Sequence, residues 1–164
     1  EQRVQAAEQI AQLAGQPLPT DLMLTADELR RLAAAGVAIG GHTVSHPILT
    51  RVPLAQARDE IGRNRARLQS LTGQPVTLFA YPNGVPSQDY AAEHVAVVRE
   101  AGFAAAVSTA WGAAGRTDDR FQLPRFTPWD RAPRRFALRL LQNAALRRAR
   151  LLPVPATDIA TATA

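Results

Sequence analysis

His42 and His46 are two of only three histidines in 164 residues, and they stand four apart in the run Gly40-Gly41-His42-Thr43-Val44-Ser45-His46-Pro47. Imidazole is the commonest protein metal ligand near neutral pH, and two at this spacing can reach one ion. A helical metalloprotease site would need Glu directly after the first His as general base. Thr43 stands there instead, so that chemistry is discarded. The competing reading is a pair of strand-end histidines that cap backbone groups. Gly40 and Gly41 favour a site, because paired glycines permit close backbone approach. Two histidines still do not complete a metal centre, and a third ligand, normally a carboxylate, has to come from elsewhere.

The elements around these residues read as alternating helices and strands. Residues 1–14 carry Val4, Ala7, Ile10, Ala11 and Ala14 at helical spacing. Thr25-Ala26-Asp27-Glu28 forms a capping box that opens a second helix, with Leu29, Leu32 and Ala33 inward. Val37-Ala38-Ile39 reads as a short buried strand that delivers His42 at its C-terminal end. Pro53 starts a long helix that Gly73 caps, and Val76–Tyr81 is the next strand, closing in the turn Pro82-Asn83-Gly84. A helix over Tyr90–Ala101, a strand over Phe103–Ser108, a short fourth strand over Phe121–Phe126 and a basic helix over 132–150 follow.

Helices alternating with strands predict a parallel sheet. In such folds the chemistry gathers at the C-terminal ends of strands. Every polar cluster falls there: His42 to His46, Tyr81 to Gly84, Ser108 to Trp111, and Arg125. Taken alone, Tyr81-Pro82-Asn83-Gly84 suits an ordinary turn, and Trp111 suits a core position. His94 is expected on a helix surface, and Asp89, Asp118, Asp119 and Asp130 are expected as loop, cap or ion-pair residues.

The chain has no cysteine, which excludes disulfides, thiolate zinc sites and cysteine nucleophiles. No apolar run reaches the roughly 18 residues of a membrane span, and the N-terminus has neither an initiator Met nor the apolar core of a signal peptide. The expectation is a piece of a longer chain, with its location left open. The net charge of +5 is local in origin. Residues 131–150 hold seven arginines and no acid, while the remainder sets twelve arginines against fourteen acids. All the basic residues are Arg and none is Lys, which together with the abundant alanine reads as codon bias before function.

Gly41-His42-Thr43-x-x-His46-Pro47, followed by Phe79-Ala80-Tyr81-Pro82-Asn83-Gly84, resembles the polysaccharide deacetylase (NodB-homology) family. Ser108-Thr109-Ala110-Trp111 and Leu123-Pro124-Arg125 fit its later motifs, and the resemblance covers roughly residues 22–140. It implies an α/β fold of the distorted, seven-stranded (β/α) barrel type. It also implies a hydrolase dependent on a divalent metal, zinc, that removes N- or O-acetyl groups from a poly- or oligosaccharide, with amide carbon–nitrogen bonds as the bonds cleaved. Carried over by position, His42 and His46 are the metal ligands. The backbone N–H of Asn83 is the oxyanion donor. Tyr81, Pro82, Trp111 and Arg125 bind substrate.

Three departures from the family pattern matter. Its first motif, Thr-Phe-Asp-Asp, which supplies the third metal ligand and the catalytic base, is absent, and the only Asp-Asp is Asp118-Asp119. Ala80 stands where the family has an arginine. No histidine follows His94 to act as general acid, and Arg125 cannot release a proton at neutral pH. The simplest expectation is the C-terminal portion of a deacetylase domain over 1–150, a barrel without its first strands, inactive alone, with a disordered tail over 151–164. A non-catalytic saccharide-binding relative is the alternative. For the basic helix, packing on the barrel through Phe136, Leu140 and Leu141 competes with weak contact to an anionic membrane surface; no nucleic-acid partner is expected. A third possibility is an unrelated α/β domain that acts through this helix.

Overall fold

The computed structural model describes residues 2–15, 22–126, 129–146 and 151–153. Five helices and three strands follow one another as α1 (Gln2–Ala14), α2 (Ala26–Ala34), β1 (Gly40–Gly41), α3 (Leu54–Thr72), β2 (Leu78–Ala80), α4 (Ala92–Glu100), β3 (Ala105–Val107) and α5 (Pro133–Leu146). A single 3₁₀ turn, Leu49–Arg51, precedes α3.

The helix ends form where local chemistry demands. Thr25 and Glu28 make the expected reciprocal cap on α2: Glu28 N–H donates to Thr25 Oγ1, and Thr25 N–H donates to the Glu28 carboxylate. Gly73, at φ 67°, closes α3 in the left-handed conformation. At the end of α2, Gly36 N–H donates to Ala33 C=O and Val37 N–H to Leu32 C=O, which satisfies the last carbonyls of the helix.

That cap corrects the first predicted strand. Val37 spends its N–H on the helix and is 46% exposed, so Val37-Ala38-Ile39 is not a buried strand. Pairing begins at Gly40. The sheet is parallel in the order β1-β2-β3, with Gly41 opposite Phe79 and Phe79 opposite Ala106. The predicted fourth strand is reduced to one bridge, Val107 to Leu123. Around it the ladder cannot extend, because Asp119 takes up the N–H groups of Phe121 and Gln122 and Pro124 has none.

The strand alternation gives the sheet two different faces. Gly41, Phe79 and Ala106 are buried on one side, beneath α3 and α4, with Ile61, Val95, Val98 and Phe103. The other side opens on an apolar hollow of about 260 Å³ lined by Gly40, Leu78, Ala80, Ala105, Val107 and Leu123, with His42 at its rim.

Three further expectations are revised. In α1 the helix forms, but Ile10 is 67% exposed and does not pack inward. In α5, Phe136, Leu140 and Leu141 are exposed, so the stripe expected to pack on the barrel does not do so among the described residues. Residues 147–150 of that predicted helix lie outside the described residues. The disorder predicted from 151 does not hold for residues 151–153, which are described. Leu152 packs against the core, its N–H donates to Gln122 Oε1, and its carbonyl accepts from Gln122 Nε2. The tail from 154 onward lies outside the described residues. Among those described, no helix is long and apolar enough to cross a membrane.

Candidate metal and saccharide site

β1 ends at Gly41, and the chain turns sharply into the histidine loop. Thr43 and His46 both hold positive φ, at 63° and 57°. Thr43 is buried, and its Oγ1 accepts the His46 N–H at 3.1 Å. This Thr-x-x-His bond is a local side-chain turn, and it is what brings the second histidine back over the first. The imidazole centroids lie 4.8 Å apart, edge to face at 72°. Both rings are exposed.

His42 Nδ1 lies 2.7 Å from the Ala80 carbonyl oxygen at the end of β2. A carbonyl can only accept, so Nδ1 carries a proton, and in the neutral imidazole the lone pair is on Nε2. Metal-bound histidines are commonly oriented in this way by a second hydrogen bond. The residues therefore fit a divalent ion as two neutral nitrogen ligands. Among the described residues, no third His, Cys, Asp or Glu joins them.

The His42–Ala80 contact ties this loop to the end of β2, and the remaining strand ends are joined to one another through main-chain groups. Tyr81 N–H donates to Val107 C=O, Thr109 N–H to Gly84 C=O, Ser108 N–H to Leu123 C=O, and Arg125 N–H to Ala110 C=O. One rim thus brings together His42, Asn83 and Ser108, which follow β1, β2 and β3, and Arg125, which follows the Leu123 bridge rather than the predicted fourth strand. Asn83 is exposed with φ 55°, and among the described residues nothing accepts its N–H. Trp111 is 52% exposed and meets Phe126 edge-on at 5.0 Å. Arg125 is exposed and donates from Nε to the Ser108 carbonyl at 2.8 Å.

Two predicted substrate contacts are corrected. Tyr81 is fully buried, stacked on Tyr90 at 3.9 Å, and its hydroxyl donates to Phe121 C=O. Burial drives its pKa well above the ordinary phenol range. Strand alternation sends it with Phe79 under the helices. Pro82 is buried beside it. Neither side chain offers a face to the groove.

His94 is likewise buried rather than on the surface, at 2% exposure. Its Nδ1 accepts the Ala91 N–H at 3.0 Å, at the start of α4. Burial holds its pKa below the ordinary value, against the opposing pull of Glu93 and of hydrogen bonds to Leu49 and Ala91. A signal for this was present: His94, Val97, Val98 and Ala101 follow the i, i+3, i+4, i+7 pattern of an inward face.

The acids behave as predicted. Asp89 accepts from Val85 N–H, Asp118 from Gly115 N–H, Asp119 pairs with Arg99, and Asp130 with Arg139. Thr43 and Glu60 were missed. Thr43 is legible as a local turn, whereas Glu60 reaches the loop only through the tertiary fold, accepting from Val44 N–H and Ser45 N–H at 2.8 Å each.

The profile of the polysaccharide deacetylase family matches residues 5–106. The chain belongs to the polysaccharide deacetylase family. It is similar to YxkH of Bacillus subtilis (strain 168), which carries a polysaccharide deacetylase name, with 26% identity over 102 residues, 62% of this chain and 35% of that protein. In structure it is similar to the Streptococcus pyogenes deacetylase PplD, with TM-score 0.65, 22% identity, and coverage of 76% of this chain and 52% of that one. IcaB from Ammonifex degensii matches with TM-score 0.57 and 19% identity over 70% of this chain and 51% of its own. The chain therefore spans between about a third and a half of the relatives it matches. Family membership removes the expectation of an unrelated α/β domain.

Proposed function

We propose that this chain forms the histidine wall of a metal-dependent carbohydrate deacetylase centre. One observation carries the reading: the Ala80 carbonyl fixes the tautomer of His42, leaving Nε2 free beside His46. The two imidazoles would hold a divalent ion, with zinc the best match to nitrogen ligands. Such an ion, when bound, polarises an acetyl carbonyl and activates water.

The residues of this chain supply the rest of the wall. The unaccepted N–H of Asn83 is a main-chain donor for the oxyanion that develops as the acetyl carbon becomes tetrahedral. Trp111 presents an indole face for a sugar ring, and Arg125 adds donors for hydroxyl groups. The substrate is an acetylated poly- or oligosaccharide, cleaved at an amide carbon–nitrogen bond. PplD was captured with acetate, the product such a cleavage releases.

The third ligand and the base would come from residues outside this chain. The open apolar face of the sheet, beside His42, supports this, because an apolar hollow of that kind suits the inner wall of a (β/α) barrel whose other strands lie elsewhere. A saccharide-binding role without turnover would use the same rim.

The test is zinc titration of the chain, followed by the imidazole proton resonances, alongside an acetate-release assay on acetylated chitooligosaccharide. Weak binding at both histidines, abolished by His42→Ala or His46→Ala, with no acetate released, is expected. No shift at either imidazole removes the metal reading. Stoichiometric zinc with acetate release removes the claim that the centre is incomplete.

A further inference from the structure

Of the histidine loop between His42 and His46, only Thr43 is buried. Both imidazoles are exposed, and the loop contains two positive-φ residues that are not glycine, a conformation that L side chains adopt at a cost. It is held from one side by a single helix. Asn64 Oδ1 accepts the His42 N–H at 2.9 Å. Glu60 Oε2 accepts the N–H groups of Val44 and Ser45, both at 2.8 Å, and Glu60 Oε1 accepts the Ser45 hydroxyl at 2.7 Å. Glu60 and Asn64 are four apart and so share one face of α3. Ala57 and Ile61 of the same helix are fully buried in the core. The element that grips the loop is therefore fixed to the sheet that carries β1.

Both carboxylate oxygens of Glu60 are occupied by loop donors, and Glu60 forms no metal-ligating group with the histidines. Its place is behind the loop. From this arrangement, and resting on the metal reading above, we infer that Glu60 and Asn64 are positioning residues that pre-set His42 and His46 for a divalent cation. Four loop donors end on two side chains that hydrogen-bond to neither imidazole. Removing that support frees the chain between the two ligands, so the ion must then order the loop as it binds.

The test uses the whole chain as wild type, Glu60→Ala and Glu60→Gln, with Zn²⁺ as the probe. Zinc affinity is read from the His42 and His46 proton shifts, and exchange of the Val44 and Ser45 amides is read without metal. Glu60→Ala is expected to weaken zinc by about 10-fold or more, in line with other supporting-shell losses, and to speed both amides at an unchanged unfolding midpoint. Glu60→Gln keeps an oxygen for the two N–H groups and a donor for Ser45, and it is expected to restore most of both. A Glu60→Ala chain that binds zinc like wild type overturns the inference and leaves the metal reading standing. A wild-type chain that binds no zinc overturns both.

Discussion

Gly41 lies so close to Phe103 that a Cβ there would come within 2.9 Å of the Phe103 ring, and within 3.1 Å of Asn64 Oδ1. The site and the core meet at this point. Phe103 packs on Phe79 in the buried layer at 5.1 Å, while Asn64 holds the main chain of His42. Gly41→Ala is therefore expected to cost about 1–3 kcal/mol as an overpacked core position. Denaturant unfolding reads the loss, and the His42 N–H should exchange faster in the same variant. An unchanged midpoint would show that Phe103 moves aside without penalty.

His94 predicts a pH dependence of a definite sign. Burial lowers its folded pKa from 6.5, so the unfolded chain takes up the proton first. Stability is then fully present above about pH 6.5 and falls as the pH drops towards the folded value. His94→Gln cannot titrate and should flatten the slope of the unfolding free energy between pH 6.5 and 5, relative to wild type. Parallel slopes for the two proteins would remove His94 as the source.

Asn83 is read as a main-chain donor held at φ 55°. Asn83→Gly keeps the N–H and suits the left-handed region, so its stability should match or slightly exceed wild type. Asn83→Val keeps the N–H but strains the turn, and a loss of about 1–2 kcal/mol is expected in thermal or denaturant unfolding. If the two substitutions behave alike, the conformation at 83 is not under steric control.

Tyr81 and Trp111 separate core from groove. Tyr81→Phe leaves the buried Phe121 carbonyl without its donor and should cost about 1–2 kcal/mol of stability with saccharide affinity unchanged. Trp111→Ala should do the reverse, lowering the affinity for a chitooligosaccharide measured by calorimetry while leaving the unfolding midpoint nearly in place. Loss of affinity in Tyr81→Phe would return that ring to the groove.

The legible parts of the fold were those set by neighbouring residues. The Thr25–Glu28 cap, the Gly73 stop and the start of α3 at Pro53 each depend on chemistry within a few positions. The strands were overdrawn for a related reason. Val37 is apolar and β-branched, but α2 needs its N–H, and Pro124 and the Asp119 turn deny a ladder to Phe121–Phe126. At the site, the histidine spacing and the strand-end placement of Asn83 were readable. The inward turn of Tyr81 also lay in the strand alternation, two residues from Phe79. Glu60 was not readable, because its partners Val44 and Ser45 meet it only once α3 lies against β1.

The rim beneath these residues is sewn by amides and carbonyls: Tyr81 to Val107, Thr109 to Gly84, Ser108 to Leu123, Arg125 to Ala110. Stitches of this kind depend little on which side chains occupy the positions they join. Trp111 stands on the rim without being part of its seam, whereas Arg125 is tied in by its main-chain N–H and by Nε on the Ser108 carbonyl. Under the proposed function, Trp111 can therefore be exchanged to suit another saccharide while the wall keeps its shape. The seam thus separates the shape of the rim from the indole that stands on it.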